Sequence, residues 1–150
     1  MIRFFSARPV RQALIRLLEL ENKPAPDVLA RMHDFANLES NDIIITVTTE
    51  ATDQRSGRAV MQLFNSAATG TLKNDTYLER NGKRLFITEY FPLGKDGFGA
   101  KFVFSRLLDE KAFIEDNTAE VRFHSKFEKG PTIDRRFKVA DMMYNGALEY

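Results

Sequence analysis

The segment Gly94-Lys95-Asp96-Gly97-Phe98-Gly99 holds three glycines in six residues, with Lys101 just beyond. Successive glycines let backbone N–H groups turn toward an anion, and Lys95 and Lys101 would add positive charge. Gly94, Lys95, Gly97, Gly99 and Lys101 are therefore candidate ligand-binding residues, with Tyr77 and Phe86 as an aromatic wall beside them. The spacing matches neither the Walker loop nor the dinucleotide fingerprint. The following segment has the pattern of a strand, so the helix N-terminus that cradles phosphate is missing. A wide hairpin loop, in which glycine supplies positive φ, is the simpler reading.

A second candidate set lies further along. Arg122, His124 and Lys126 alternate on one face of an expected strand, and Arg136 and Lys138 fall on its neighbour. Such a stripe suits a carboxylate, a phosphate or an acidic partner. Glu120 and Asp134 share the face, however, and no aromatic interleaves it as a nucleic-acid platform requires. A solvated sheet face is again the simpler reading.

Catalytic constellations are scarce. There is no G-x-S-x-G elbow, and His33 and His124 are the only histidines. The absence of cysteine removes thiol chemistry, Cys-ligated zinc and iron–sulfur clusters. His33 has Asp34, Glu39 and Asp42 nearby but no metal spacing, and the acids of residues 109–116 lack the D-x-D-x-D-G calcium pattern. Glu79 and Glu89 are carboxylates that a sheet can bring together, yet Arg84 is expected opposite Glu79. That favours an ion pair over a raised-pKa acid. No catalytic residue, metal ligand or cofactor is assigned, and the residues lean against an enzyme.

Composition sets the remaining bounds. The 150 residues read as a single domain, with a helical segment over 1–40 and a β-rich body over 41–150. Lys and Arg balance Asp and Glu within each third, for a net charge of +1, so no nucleic-acid partner is expected. No apolar run approaches the roughly 20 residues of a membrane-spanning helix, and residues 1–5 are too short for a signal-peptide core. A cysteine-free chain is at ease in reducing and oxidising surroundings alike, so the compartment stays open, an extracytoplasmic origin included.

These candidates need elements to hold them. Asn81-Gly82 between two strand-like runs is the strongest short hairpin signal, and it pairs Arg80 with Lys83, Glu79 with Arg84, Leu78 with Leu85 and Tyr77 with Phe86. Val10, Ala13, Leu14, Leu17 and Leu18 predict a helix over 7–22, with Ser6 as N-cap, Pro9 in the first turn and its arginines facing water. Val28, Leu29, Met32, Phe35 and Ala36 predict a second over 26–38. Each apolar stripe then needs a partner surface. Residues 43–49 read as an interior strand, residues 58–69 as a helix ending at Gly70, and 100–107, 119–127 and 133–139 as strands. Phe113 and Ile114 should tuck inward, and Asn145-Gly146 predicts a small terminal hairpin.

The expected fold is α+β, an N-terminal helical pair packed on a mainly antiparallel sheet of about six strands. The alternative is a β-sandwich with accessory helices. The expected function is a non-enzymatic binding or protein-interaction module, with a sheet edge through which copies of the chain can pair. The alternative is a small-ligand or anion-binding protein, with or without enzymatic activity, using the loop at 92–101.

Overall fold

The computed structural model describes residues 1–49, 53–94, 98–115, 117–128 and 130–150. In chain order these form β1 (Ile2–Phe4), α1 (Arg8–Asn22), α2 (Pro26–Asn37), β2 (Asp42–Val47), α3 (Gln54–Ser66) and the short α4 (Thr69–Leu72). Then come β3 (Thr76–Arg80), β4 (Lys83–Phe86), β5 (Glu89–Phe91), β6 (Ala100–Ser105), β7 (Leu107–Leu108) and β8 (Lys111–Ala112). The chain ends with β9 (Glu120–Lys126), β10 (Thr132–Lys138), a 3-10 turn (Val139–Met142), β11 (Met143–Tyr144) and β12 (Ala147–Leu148). The class is α+β, with helices preceding most of the strands.

The Asn81-Gly82 hairpin forms in the predicted register. Both turn residues have positive φ, 46° and 75°, as a type I′ turn requires. Asn145-Gly146 does the same between β11 and β12. Strand β9 buries Val121, Phe123 and Ser125 and turns Arg122, His124 and Lys126 outward. Phe113 and Ile114 are fully buried beside the small β7–β8 hairpin.

Eight strands make two four-stranded antiparallel sheets, β1-β2-β6-β5 and β10-β9-β3-β4, where one sheet of about six was expected, and β7-β8 and β11-β12 form separate two-stranded pairs. The division happens after the first hairpin. The N–H of Ile87 donates to Thr76 O in one sheet, and that of Thr88 to Val103 O in the other. The return strand therefore leaves one layer and enters the second within two residues. The sheets face each other through aromatic rings: Phe102 lies 5.2 Å from Phe123 and 5.0 Å from Tyr90 between centroids, in the edge-on geometry that ring quadrupoles favour. At the opposite side Phe4 of β1 meets Phe137 of β10 at 4.8 Å. Within the core, the Thr76 and Ser125 hydroxyls satisfy each other at 2.8 Å.

Three local expectations change. Ser6 is not the N-cap of α1; its hydroxyl accepts from the Ile44 N–H, and Ala7 occupies the cap position. The α3 helix begins earlier than expected because Asp53 caps it, accepting from the N–H groups of Arg55 and Ser56. Gly70 does not end that helix but lies inside α4.

The helical pair meets the body mainly through the start of α1. Val10 packs against the main core, whereas Phe5, Ile15 and Ala36 are buried outside that cluster. Phe5 and Ile15 line one groove beside the two helices. No helix among the described residues is long and apolar enough to cross a membrane.

Candidate functional site

Among the described residues, Lys101 and the Tyr77–Phe86 pair fall on the faces of different sheets. Lys101 sits in β6 on the side opposite the inward-facing Phe102, hence on the outer face of one sheet. Tyr77 and Phe86 lie on the outer face of the other, because Leu78 and Leu85 take the inward positions. Gly94 is exposed, and Lys95 and Gly97 fall outside the described residues. Gly99 is required by packing, since at φ +91° it passes so close to β2 that a Cβ would stand 2.4 Å from Val47 O.

The cationic stripe is largely neutralised. Arg122 Nε donates to both carboxylate oxygens of Asp134 at 2.9 and 3.1 Å, and its Nη2 makes a further close contact. His124 Nδ1 lies 3.2 Å from the same carboxylate, and its ring stacks on Tyr77 at 4.9 Å. Arg136 pairs with Glu120 at 3.2 Å. Lys126 and Lys138 remain exposed. Glu79 bonds to Arg84 at 2.9 Å, and that bond first of all holds its carboxyl below the usual range.

Asp134 carries a pH signature. Hydrogen bonds from Arg122, then from His124, hold its carboxyl down at about 2, against an ordinary value of 3.8. A value depressed in the folded state gives stability that is present above about pH 4 and drains away as pH falls through 2. Urea unfolding is expected to find Asp134→Asn less stable than the parent at pH 7, with the gap closing toward pH 2. A gap unchanged at pH 2 would trace to packing and not to the charge.

The most distinctive concavity lies elsewhere, between the two N-terminal helices. Part of the predicted α2 stripe is left uncovered: Val28 is 39% exposed and Phe35 51%, and Leu38 just beyond is 61%, whereas Leu29 and Met32 are half-buried and Ala36 is fully buried. The inner face of α1 is Arg11, Leu14, Ile15 and Leu18, while Leu17 turns outward. Between the helices runs a groove of about 430 Å³, lined by Leu14, Ile15, Leu18, Val28, Met32 and Phe35, with Phe5 and Phe98 beside them. The rings of Phe5 and Phe98 lie 5.3 Å apart. Among the described residues of the glycine-rich segment Phe98 reaches the groove, and it is not one of the sequence candidates.

Arg11 explains why α1 presents this face. Its Nη1 donates to Phe35 O at 3.1 Å and its Nη2 to Leu38 O at 2.5 Å. Those carbonyls belong to the last turn of α2 and to the residue that follows it, where intrahelical donors run out and the helix dipole favours a cation. The expectation that every arginine of α1 faces water is thus overturned at Arg11, which is 6% exposed. Burial pushes its pKa down from the ordinary arginine value, partly offset by Glu149. Its Nε is buried and has no hydrogen-bond partner. In the sequence, the α2 stripe signalled a surface in need of a partner, whereas nothing local marked Arg11.

A larger, more polar hollow of about 640 Å³ lies at the seam between β1 and β10, where Arg3, Arg135 and Lys138 surround Phe4, Phe137 and Met142. No cluster of three potential metal ligands occurs among the described residues. The chain matches no protein-family model, no curated protein and no solved structure, so its chemistry is read from its own residues.

Proposed function

We propose that the protein is a non-enzymatic binding module that holds an apolar-tailed small molecule in the groove between α1 and α2. One observation carries the reading. Two amphipathic helices line a groove of about 430 Å³ almost entirely with apolar side chains and leave it open. Ligand pockets occupy roughly 300–1,000 Å³ and are mostly apolar, so the size and lining fit. The 92–101 segment contributes Phe98 to this groove.

The test is equilibrium binding of a neutral environment-sensitive dye such as Nile red to the full chain, followed by displacement with straight-chain alcohols. Displacement should strengthen about fourfold per added methylene until the groove is filled. Met32→Glu, which sets a charge against the apolar lining, should weaken dye binding at least about tenfold while the melting temperature stays near the parent value. Unchanged affinity in a folded Met32→Glu protein would remove the groove as the site. Turnover in a hydrolase and transferase screen would overturn the non-enzymatic part.

A further inference from the structure

The hollow at the seam between β1 and β10 holds cations that the fold leaves unanswered. Arg3, Arg135 and Lys138 line it, and none has a hydrogen-bond or ion-pair partner among the described residues. Arg135 and Lys138 are exposed and Arg3 is half-buried, so all three are open to a ligand. Of the other charged groups on its wall, Arg136 is held by Glu120 at 3.2 Å and Glu149 by Arg8 at 2.9 Å. That leaves Asp141 as the one acid against three cations. The hollow shares no lining residue with the groove between α1 and α2.

The same seam exposes backbone. Strand β10 ends its sheet, with β9 on one side and no ladder on the other. The N–H of Val139 donates to Ala119 O in the register that pairs Phe137 with Val121. Antiparallel strands alternate bonded and non-bonded pairs, so residues 133, 135 and 137 turn their N–H and C=O groups toward β9. Asp134, Arg136 and Lys138 turn theirs to the open edge, where an added strand finds both donors and acceptors.

We infer that β10 accepts an extended acidic peptide of a partner protein as an additional antiparallel strand. In that register an acid faces Lys138, an apolar residue faces Phe137, and a second acid faces Arg135. The apolar side chain seats in the hollow against Phe4, Phe137 and Met142, and Arg3 adds charge from the β1 side. A second copy of the chain is the poorer occupant. Two-fold pairing of β10 with itself sets one residue opposite its own image at the axis. In the registers that pair most of the strand, that residue is Asp134, Arg135 or Arg136, so like charges meet.

The experiment titrates the full chain into a fluorescein-labelled, capped peptide, Thr-Glu-Leu-Thr-Glu-Val-Thr, and follows anisotropy. It should bind at least about tenfold more tightly than its counterpart with lysine at both glutamates. N-methylation of the central threonine amide, which keeps every side chain but removes one ladder donor, should weaken binding about tenfold. Arg135→Glu combined with Lys138→Glu, both at exposed positions, should reverse the preference in favour of the lysine peptide. Amide hydrogen exchange followed by ¹⁵N NMR should slow at Asp134, Arg136 and Lys138 when the acidic peptide is added. Equal affinity for the two peptides overturns the proposal, as does exchange at these amides that the peptide leaves unchanged. Displacement of the peptide by a comparable concentration of N-acetylglutamate would make this a small-anion site and overturn strand addition. Slowed exchange at the same amides on concentrating the protein alone would put a second copy in the peptide's place.

Discussion

Phe102→Ala is expected to lower stability by about 3–5 kcal/mol, the range for removing a fully buried phenylalanine. The ring has no exposed surface, and it is where the two sheets lock. Its centroid lies 5.0 Å from Tyr90, 5.2 Å from Phe123 and 6.4 Å from Phe127, so one side chain bridges β6 to β5, to β9 and to the segment after β9. Truncation to alanine leaves a void between two sheets that are each fixed by their own ladders and cannot close around it. Domains of this size are stable by about 5–15 kcal/mol, so the loss is a large share of the total. Urea unfolding monitored by far-UV circular dichroism measures it. A cost under about 1 kcal/mol would mean that the sheets are not held together through this ring.

Gly99→Ala is expected to cost about 2 kcal/mol or more, through the backbone alone. Its φ of +91° is one that side chains rarely adopt, and the added Cβ would meet Val47 O at 2.4 Å and Thr48 Cγ2 at 2.8 Å. The nearest obstacle is a strand carbonyl, which has no rotamer to yield. The adjacent Phe98 lies against Phe5 beside the groove, so the same substitution should also weaken dye binding in whatever fraction stays folded. Stability within about 0.5 kcal/mol of the parent would show that the β2–β6 end accommodates the methyl group.

The sequence was most legible where the determinants are local. Asn-Gly dipeptides set both hairpin turns, and strict alternation set the two faces of β9. Ala59, Val60, Leu63, Phe64 and Ala67 predict a helix over 58–69, and α3 spans Gln54–Ser66 because its start is set by the cap at Asp53. What escaped depends on residues far apart in the chain. Strand β1 has only three residues and forms because Ile2 meets Val47. Arg11 is buried because carbonyls 24 and 27 positions away need donors. The alternation around Tyr77 and Phe86 was correct, but their separation from Lys101 depends on the sheet switch at Ile87 and Thr88, which no turn motif announces. The groove was half visible, since the α2 stripe implied a missing partner, while the arginine at its end carried no sequence signal.

That switch also gives the body a preferred direction of opening. Residues 87 and 88 act as the spine of a book, one covalent step hydrogen-bonded to each leaf. At the fore-edge, β1 and β10 meet through side chains such as Phe4 and Phe137, with no ladder joining the two strands. Opening that begins where backbone bonding is sparsest would therefore part the fore-edge first and the spine last. Because α1 follows directly from β1, the groove between α1 and α2 rides on the leaf that lifts.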